Sequence, residues 1–139
     1  MNRARFLKSI ISNGLLLTSP ILKRSEERKL VRVLLDKQYV AGFQYADGME
    51  VKDNMKVGDN LDLIREPENK HDAKAVAVYW KTKRIGYVPM SENKIPNHFL
   101  QEGLCIRASI DKLNAEARPW HFCKIGIYLL YPKELMRNA

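Results

Sequence analysis

Polar and apolar positions trade places in short blocks along this chain. The clearest is "LCIRASIDKL", where Leu104, Ile106, Ala108 and Ile110 fall on one side. A period of two predicts a strand over 104–113 with one buried face. "HFCKIGIYLLY" (121–131) reads as a last long strand. "AVAVYW" (75–80) is a nearly continuous apolar run between polar residues, the pattern of a buried central strand. "KTK" then turns into "RIGYVP" (84–89), stopped by Pro89, which predicts a hairpin. "LDLIRE" (61–66) alternates and follows the turn "KVGDN" (56–60). "YVAGFQY" (39–45) has strand propensity, with Gly42 marking a bend, and "ADG" is a turn.

Two segments carry a helical period instead. In "RSEERKLVRVLL" (24–35), Ser25 can cap, and Glu26 and Glu27 suit the positive end of the dipole. Leu30, Val31, Leu34 and Leu35 recur at helical spacing. Pro20 separates this piece from the apolar start, and the domain proper is expected to begin near Lys37. In "SENKIPNHFLQE" (91–102), Ser91 is a candidate cap and Ile95, Phe99 and Leu100 share a face. Pro96 places the start of the regular helix near itself, and Gly103 ends it. The expected architecture is mainly β (α+β): a small antiparallel β-barrel over 37–132 with one or two short helices. A basic, partly helical N-terminal extension (1–36) precedes it and a tail (133–139) follows.

Charge changes this picture in one respect. The chain of 139 residues carries a formal +8, but residues 1–40 hold nine Lys/Arg against three Asp/Glu. The remainder holds fifteen against thirteen, only +2. A polyanionic partner is therefore suggested mainly for the N-terminal segment. Hydrophobic residues at 45% and charged residues at 29% allow a packed core. Cys105 and Cys123 form no C-x-x-C pair and read as reduced, buried thiols, which points to the cytoplasm. No apolar run reaches the ~18–20 residues of a spanning helix. The start has a basic beginning and then apolar residues, as a signal peptide has. Ser12, Asn13 and Gly14 interrupt it and no A-x-A-like site follows, so an amphipathic arm is the preferred reading.

Chemistry concentrates in one connector, "REPENKHD", Arg65 to Asp72, between two apolar runs. No phosphate-cradling loop, nucleophile elbow or H-E-x-x-H is present, so the chain is not expected to be an enzyme. Cys105, Cys123, His98 and His121 match no standard zinc spacing, and neither metal nor cofactor is expected.

"VGDNLDLIREPENKHDAKAVAVYW" followed by "RIGYVP" resembles the HIRAN domain family. The Arg-Glu-Pro to Asp block combined with Ile-Gly-Tyr carries the likeness, which spans about Tyr39 to Tyr131. Members occur fused to fork-remodelling helicases or as small free-standing bacterial proteins, and a chain of this length resembles the second kind. The resemblance implies an OB-like barrel that binds single-stranded DNA at a free 3′ end, in DNA repair or replication restart. It also implies a helicase or nuclease as a protein partner.

On that resemblance, Asp72 is the first candidate: a carboxylate can accept a bond from a terminal 3′-hydroxyl and repel a continuing phosphate. It can equally cap its own loop. Tyr45 and His71 can stack on bases, and Asn69 can donate to a base or phosphate or form a turn. Tyr87 can meet a nucleotide or fill the barrel. Arg65 can contact a phosphate or brace the loop, and Lys94 is a candidate phosphate contact at the helix start. Trp120 can wall the groove or join the core. Gln44 stands where relatives carry a basic residue, and Ala46 where a second aromatic occurs, so weaker or altered binding is expected. Glu66 and Pro67 are assigned to bracing. Two other classes stay open: a protein-interaction adaptor with little DNA affinity, and, more distantly, a metal-dependent hydrolase acting on nucleic acid or nucleotides.

Overall fold

The structure, a computed structural model, describes residues 30–134. Six strands form one antiparallel sheet in the order β1-β6-β5-β2-β3-β4. They are β1 (Leu30–Tyr39), β2 (Asn60–Arg65), β3 (Val76–Trp80), β4 (Lys83–Tyr87), β5 (Ile106–Leu113) and β6 (Cys123–Pro132). Helix α1 (Gly48–Val51) lies between β1 and β2, and α2 (Lys94–Gln101) between β4 and β5. The architecture is mainly β and consistent with an OB-like fold, but the barrel is not closed by a ladder. Its two edges meet at one isolated bridge, where Ala41 N–H donates to Tyr87 O (2.8 Å) and Tyr87 N–H to Ala41 O (2.9 Å).

Strand periodicity translates directly into burial. On β5, Ile106, Ala108 and Ile110 are buried while Arg107, Ser109 and Asp111 are half-buried on the other face. Val76 and Val78 of β3, Ile85 of β4, and Ile125 and Ile127 of β6 have no or almost no exposed surface and share one core with Phe43. Each such side chain contributes about 1.5–3 kcal/mol of burial free energy. The "KVGDN" turn is pinned from the core. Asp59 Oδ2 accepts the Trp80 indole N–H at 2.9 Å and the Lys56 N–H at 2.8 Å, so a buried indole keeps a partner.

Three expectations change. The helix expected over 24–35 lies in part outside the described residues, and its second half, from Leu30, is strand β1. Nine of its ten residues pair with β6, from Leu30↔Pro132 to Tyr39↔Lys124, with a bulge between Leu34 and Asp36. A helix of a dozen residues is marginal alone, whereas the ladder uses the β-branched Val31 and Val33 and covers an edge of β6. β1 therefore runs across residue 37, where the domain was expected to begin. The strand expected over 39–45 ends at Tyr39. Gly42, at φ +71°, turns the chain into a 3-10 turn at Phe43–Tyr45 that buries Phe43. In α2, Phe99 and Leu100 pack on the core but Ile95 is exposed, while Pro96 and Asn97 are buried. The helix is thus turned so that Pro96 and Asn97, and not Ile95, join Phe99 and Leu100 on its packed side.

Both cysteines are free and buried. Burial pushes the Cys123 thiol up to about 12. Between pH 9 and about 12 the unfolded chain loses this proton and the folded chain keeps it, so stability falls as pH rises. A slope near 1.4 kcal/mol per pH unit is expected from this group. Denaturant titrations from pH 8 to 11 on wild type and Cys123→Ala check it: the variant should lose that increment of alkaline slope.

Candidate nucleic-acid interface

The polar connector leaves β2 at Arg65 and enters β3 at Val76, and its own side chains hold it. Asn69 Oδ1 accepts the backbone N–H groups of His71 (2.9 Å) and Asp72 (3.1 Å), while Asn69 Nδ2 donates to Glu66 Oε1 at 3.0 Å. The same Glu66 oxygen accepts the Tyr87 hydroxyl at 2.8 Å, tying the loop to β4. Tyr87 in turn accepts from Arg84 Nη1 at 2.9 Å. Burial, and then the bond to Glu66, raise the Tyr87 phenol above its usual value, so it stays a donor. Glu66 is thus the brace. Arg65 also braces: its Nε donates to Asn97 Oδ1 of α2 at 2.9 Å.

Asp72 is doubly held. Oδ1 accepts the Lys74 N–H at 2.9 Å and Oδ2 accepts Asn93 Nδ2 at 2.6 Å. Asn93, the residue before α2, is buried to 2% exposure. Each carboxylate oxygen has a second lone pair, so Asp72 can still accept a ligand hydroxyl. The loop-capping role and the ligand role are compatible in this geometry.

A hollow of about 300 Å³ opens between this connector, the Ala41–Tyr87 bridge and the start of the α2 region. Asn69, His71, Asp72, Tyr87 and Asn93 supply its polar lining; Ala41, Gly42, Ala75, Val88 and Met90 supply the apolar part. Four residues singled out from the sequence, Asn69, His71, Asp72 and Tyr87, therefore meet here. Among the described residues no Lys or Arg lines the hollow, and Asp72 presents its carboxylate there.

The other candidates lie around it. Tyr45, 84% exposed, stands on the 3-10 turn beyond Gly42, and its N–H donates to Gly42 O at 2.9 Å. Gln44 beside it has a buried Oε1 with no donor. Trp120, 47% exposed, sits on the 3-10 turn Pro119–His121, which packs against the turn carrying Tyr45. Trp120 therefore lies at the surface and not in the core. Lys94 is exposed at the first position of α2. Arg65 faces a separate cleft of about 400 Å³ formed with Glu66, Pro67, Glu68 and Asn69.

Asn93 and Met90 were not anticipated from the sequence. Ser91 is the cap candidate of the sequence, and nothing local shows that Asn93 reaches back twenty-one residues to Asp72. Among the described residues no cluster of three or more His, Cys, Asp or Glu could hold a metal ion. No helix among them is long and apolar enough to cross a membrane.

An OB-like sheet with a small, polar-edged hollow beside exposed aromatic residues defines a compact β binding domain. A family model for the HIRAN domain matches residues 37–129, and the chain belongs to that family. HIRAN is a binding domain, and membership supports a nucleic-acid-binding module. Among solved structures, a protein from Lactobacillus plantarum is similar at 21% identity and a TM-score of 0.65, over 73% of this chain and 98% of that one. The HIRAN domain of human HLTF is similar at 15% identity and a TM-score of 0.58, over 77% of this chain and 85% of that one. At these identities the two structures support the fold alone. No curated protein sequence matches the chain.

Proposed function

We propose that the protein binds single-stranded DNA at a free 3′ end and acts without catalysis in DNA repair or replication restart in the cytoplasm. The observation that carries this reading is the hollow, which gathers Asn69, His71, Asp72 and Tyr87 around a volume at the lower end of ligand pockets. A terminal nucleoside brings a sugar hydroxyl that can donate and a base that can lie on apolar surface. An internal nucleotide would bring a second phosphate towards the Asp72 carboxylate, with no Lys or Arg among the described lining residues to offset it. His71 and the exposed ring of Tyr45 are the stacking surfaces for neighbouring bases. A helicase or nuclease is the expected protein partner.

The direct test is a fluorescence titration with matched single strands ending in a 3′-hydroxyl or a 3′-phosphate. Preference for the hydroxyl supports the reading; equal affinity removes the end selection. Tyr45→Ala and His71→Ala should each weaken binding by about 1–3 kcal/mol at most, the range for one base–aromatic stack. Unchanged affinity in both, with circular dichroism intact, favours a protein-interaction adaptor. The uncharged Gln44 with its unpartnered oxygen is the observation behind that second reading.

A further inference from the structure

Charge is unevenly spread over the described residues. They hold sixteen Lys/Arg against fourteen Asp/Glu, a net +2. The outer face of β1, β6 and β5, with Asp62 on the adjoining β2, carries Arg32, Lys37, Arg107, Lys112 and Lys124 against Asp62 and Asp111. The excess of three on this face means the rest of the described surface is slightly acidic. Lys37 pairs with Asp111 at 3.2 Å and Arg107 with Asp62 at 3.2 Å. The other three cations have no carboxylate within ion-pair distance among the described residues.

Register sets these groups in rows. Tyr39, Lys124 and Lys112 stand opposite one another across β1, β6 and β5, and the Lys124 ammonium lies 5.6 Å from the Tyr39 ring. Two residues along, Lys37 and Ser109 flank Gly126. In the next row Tyr128 carries the Arg32 guanidinium 4.1 Å above its ring, and Arg32 reaches Ser109 Oγ at 3.5 Å. Successive rows are about 6.8 Å apart, two residues of strand rise. That equals the rise of two stacked nucleotides, about 6.8 Å.

The face is joined to the hollow by rings. The Tyr39 and His121 centroids are 4.8 Å apart, and those of His121 and Trp120 are 6.5 Å apart. Trp120 sits on the turn that packs against the Tyr45 turn, which follows the hollow's Gly42. We infer that a nucleic-acid strand whose end occupies the hollow continues over the Trp120–His121–Tyr39 ledge onto the Lys124–Lys112 row, which binds its phosphate backbone. This extended track rests on the strand-end reading of the hollow and supplies cationic contacts to phosphate, which the described lining of the hollow does not.

The test compares oligo-dT of four and twelve nucleotides, both ending in a 3′-hydroxyl, on the full chain and on the double variant Lys112→Gln, Lys124→Gln. Both lysines lie outside the hollow. The wild type should bind the longer strand at least about tenfold more tightly, and the variant should lose most of that gain while binding the four-mer within about twofold. The slope of log affinity against log salt for the twelve-mer should fall by about 1.4, about 0.7 for each phosphate that a lysine no longer neutralises. A tenfold drop in salt should then widen the gap between the proteins about 25-fold. Equal slopes, or equal losses on both lengths, overturn the track. Wild-type binding of the four-mer with no gain from length also overturns it and leaves the hollow intact as an end site. Absence of any DNA binding by the wild type overturns both readings. Lysine-dependent binding to phosphatidylserine vesicles, without a length effect on DNA, assigns the face to a membrane and overturns the track as well.

Discussion

Gly86→Ala is expected to lower the melting temperature by about 10 °C or more and to weaken strand binding along with it. Gly86 sits in β4 at φ +149°, a conformation L-residues rarely adopt. A Cβ there would run into Ala41 O and Val40 Cγ1. Ala41 O accepts one of the two hydrogen bonds that join the sheet edges, and Ala41 and its bridge partner Tyr87 line the hollow. Backbone strain and the clash together cost roughly 3 kcal/mol, from the usual effects of alanine at positive φ and of overpacking. A loss of that size shifts the midpoint of a domain this long by about 10 °C. Thermal denaturation followed by circular dichroism measures it. A variant that melts within about 2–3 °C of wild type, under 1 kcal/mol for a domain of this size, would show that the bridge adds little to the fold.

Asp72→Asn is expected to change the ratio of affinities for 3′-hydroxyl and 3′-phosphate strands by about tenfold. Hydroxyl strands weaken because a charge-assisted acceptor becomes neutral. Phosphate strands lose a repulsion. The substitution also disturbs the loop. Lys74 N–H and Asn93 Nδ2 both donate to the carboxylate, and an amide can accept from only one without setting donor against donor. Stability should therefore fall by about 1–2 kcal/mol, and both affinities can drop with it. Asn93→Ala separates the effects. It removes a donor to Asp72 while leaving the negative charge, so it should weaken both strands alike and leave their ratio near the wild-type value. A ratio unmoved by Asp72→Asn would confine Asp72 to holding its loop.

Much of the sheet was legible in the sequence because its signals are local. Alternation over 104–113 and the apolar run at 75–80 each encode one or two buried faces, and the structure buries Ile106, Ala108, Ile110, Val76 and Val78 accordingly. The connector's polar character was equally plain, since a loop that braces itself must carry its own donors and acceptors. Asn69 and Glu66 satisfy that need within the connector itself. The HIRAN-like block placed Asn69, His71 and Asp72 in one loop and Tyr87 in the hairpin, and those positions meet.

Tertiary structure alone decided the rest. Leu30 to Leu35 fit helical and extended periods alike, and only a partner in β6, far along the chain, selects the strand. Asn93 became a partner of Asp72 because the chain before α2 is brought against the loop, a contact that no local pattern records. The excess of cations on β1, β6 and β5 exists only because the pairing register sets Lys112, Lys124 and Tyr39 in one row. Total charge could not show it, since a net +2 over the described residues does not say where its sixteen cations and fourteen acids are placed. Periodicity acts between neighbours in sequence and is read there. Partner choice and the sharing of a face depend on which strands meet, and that is settled by packing of the whole sheet.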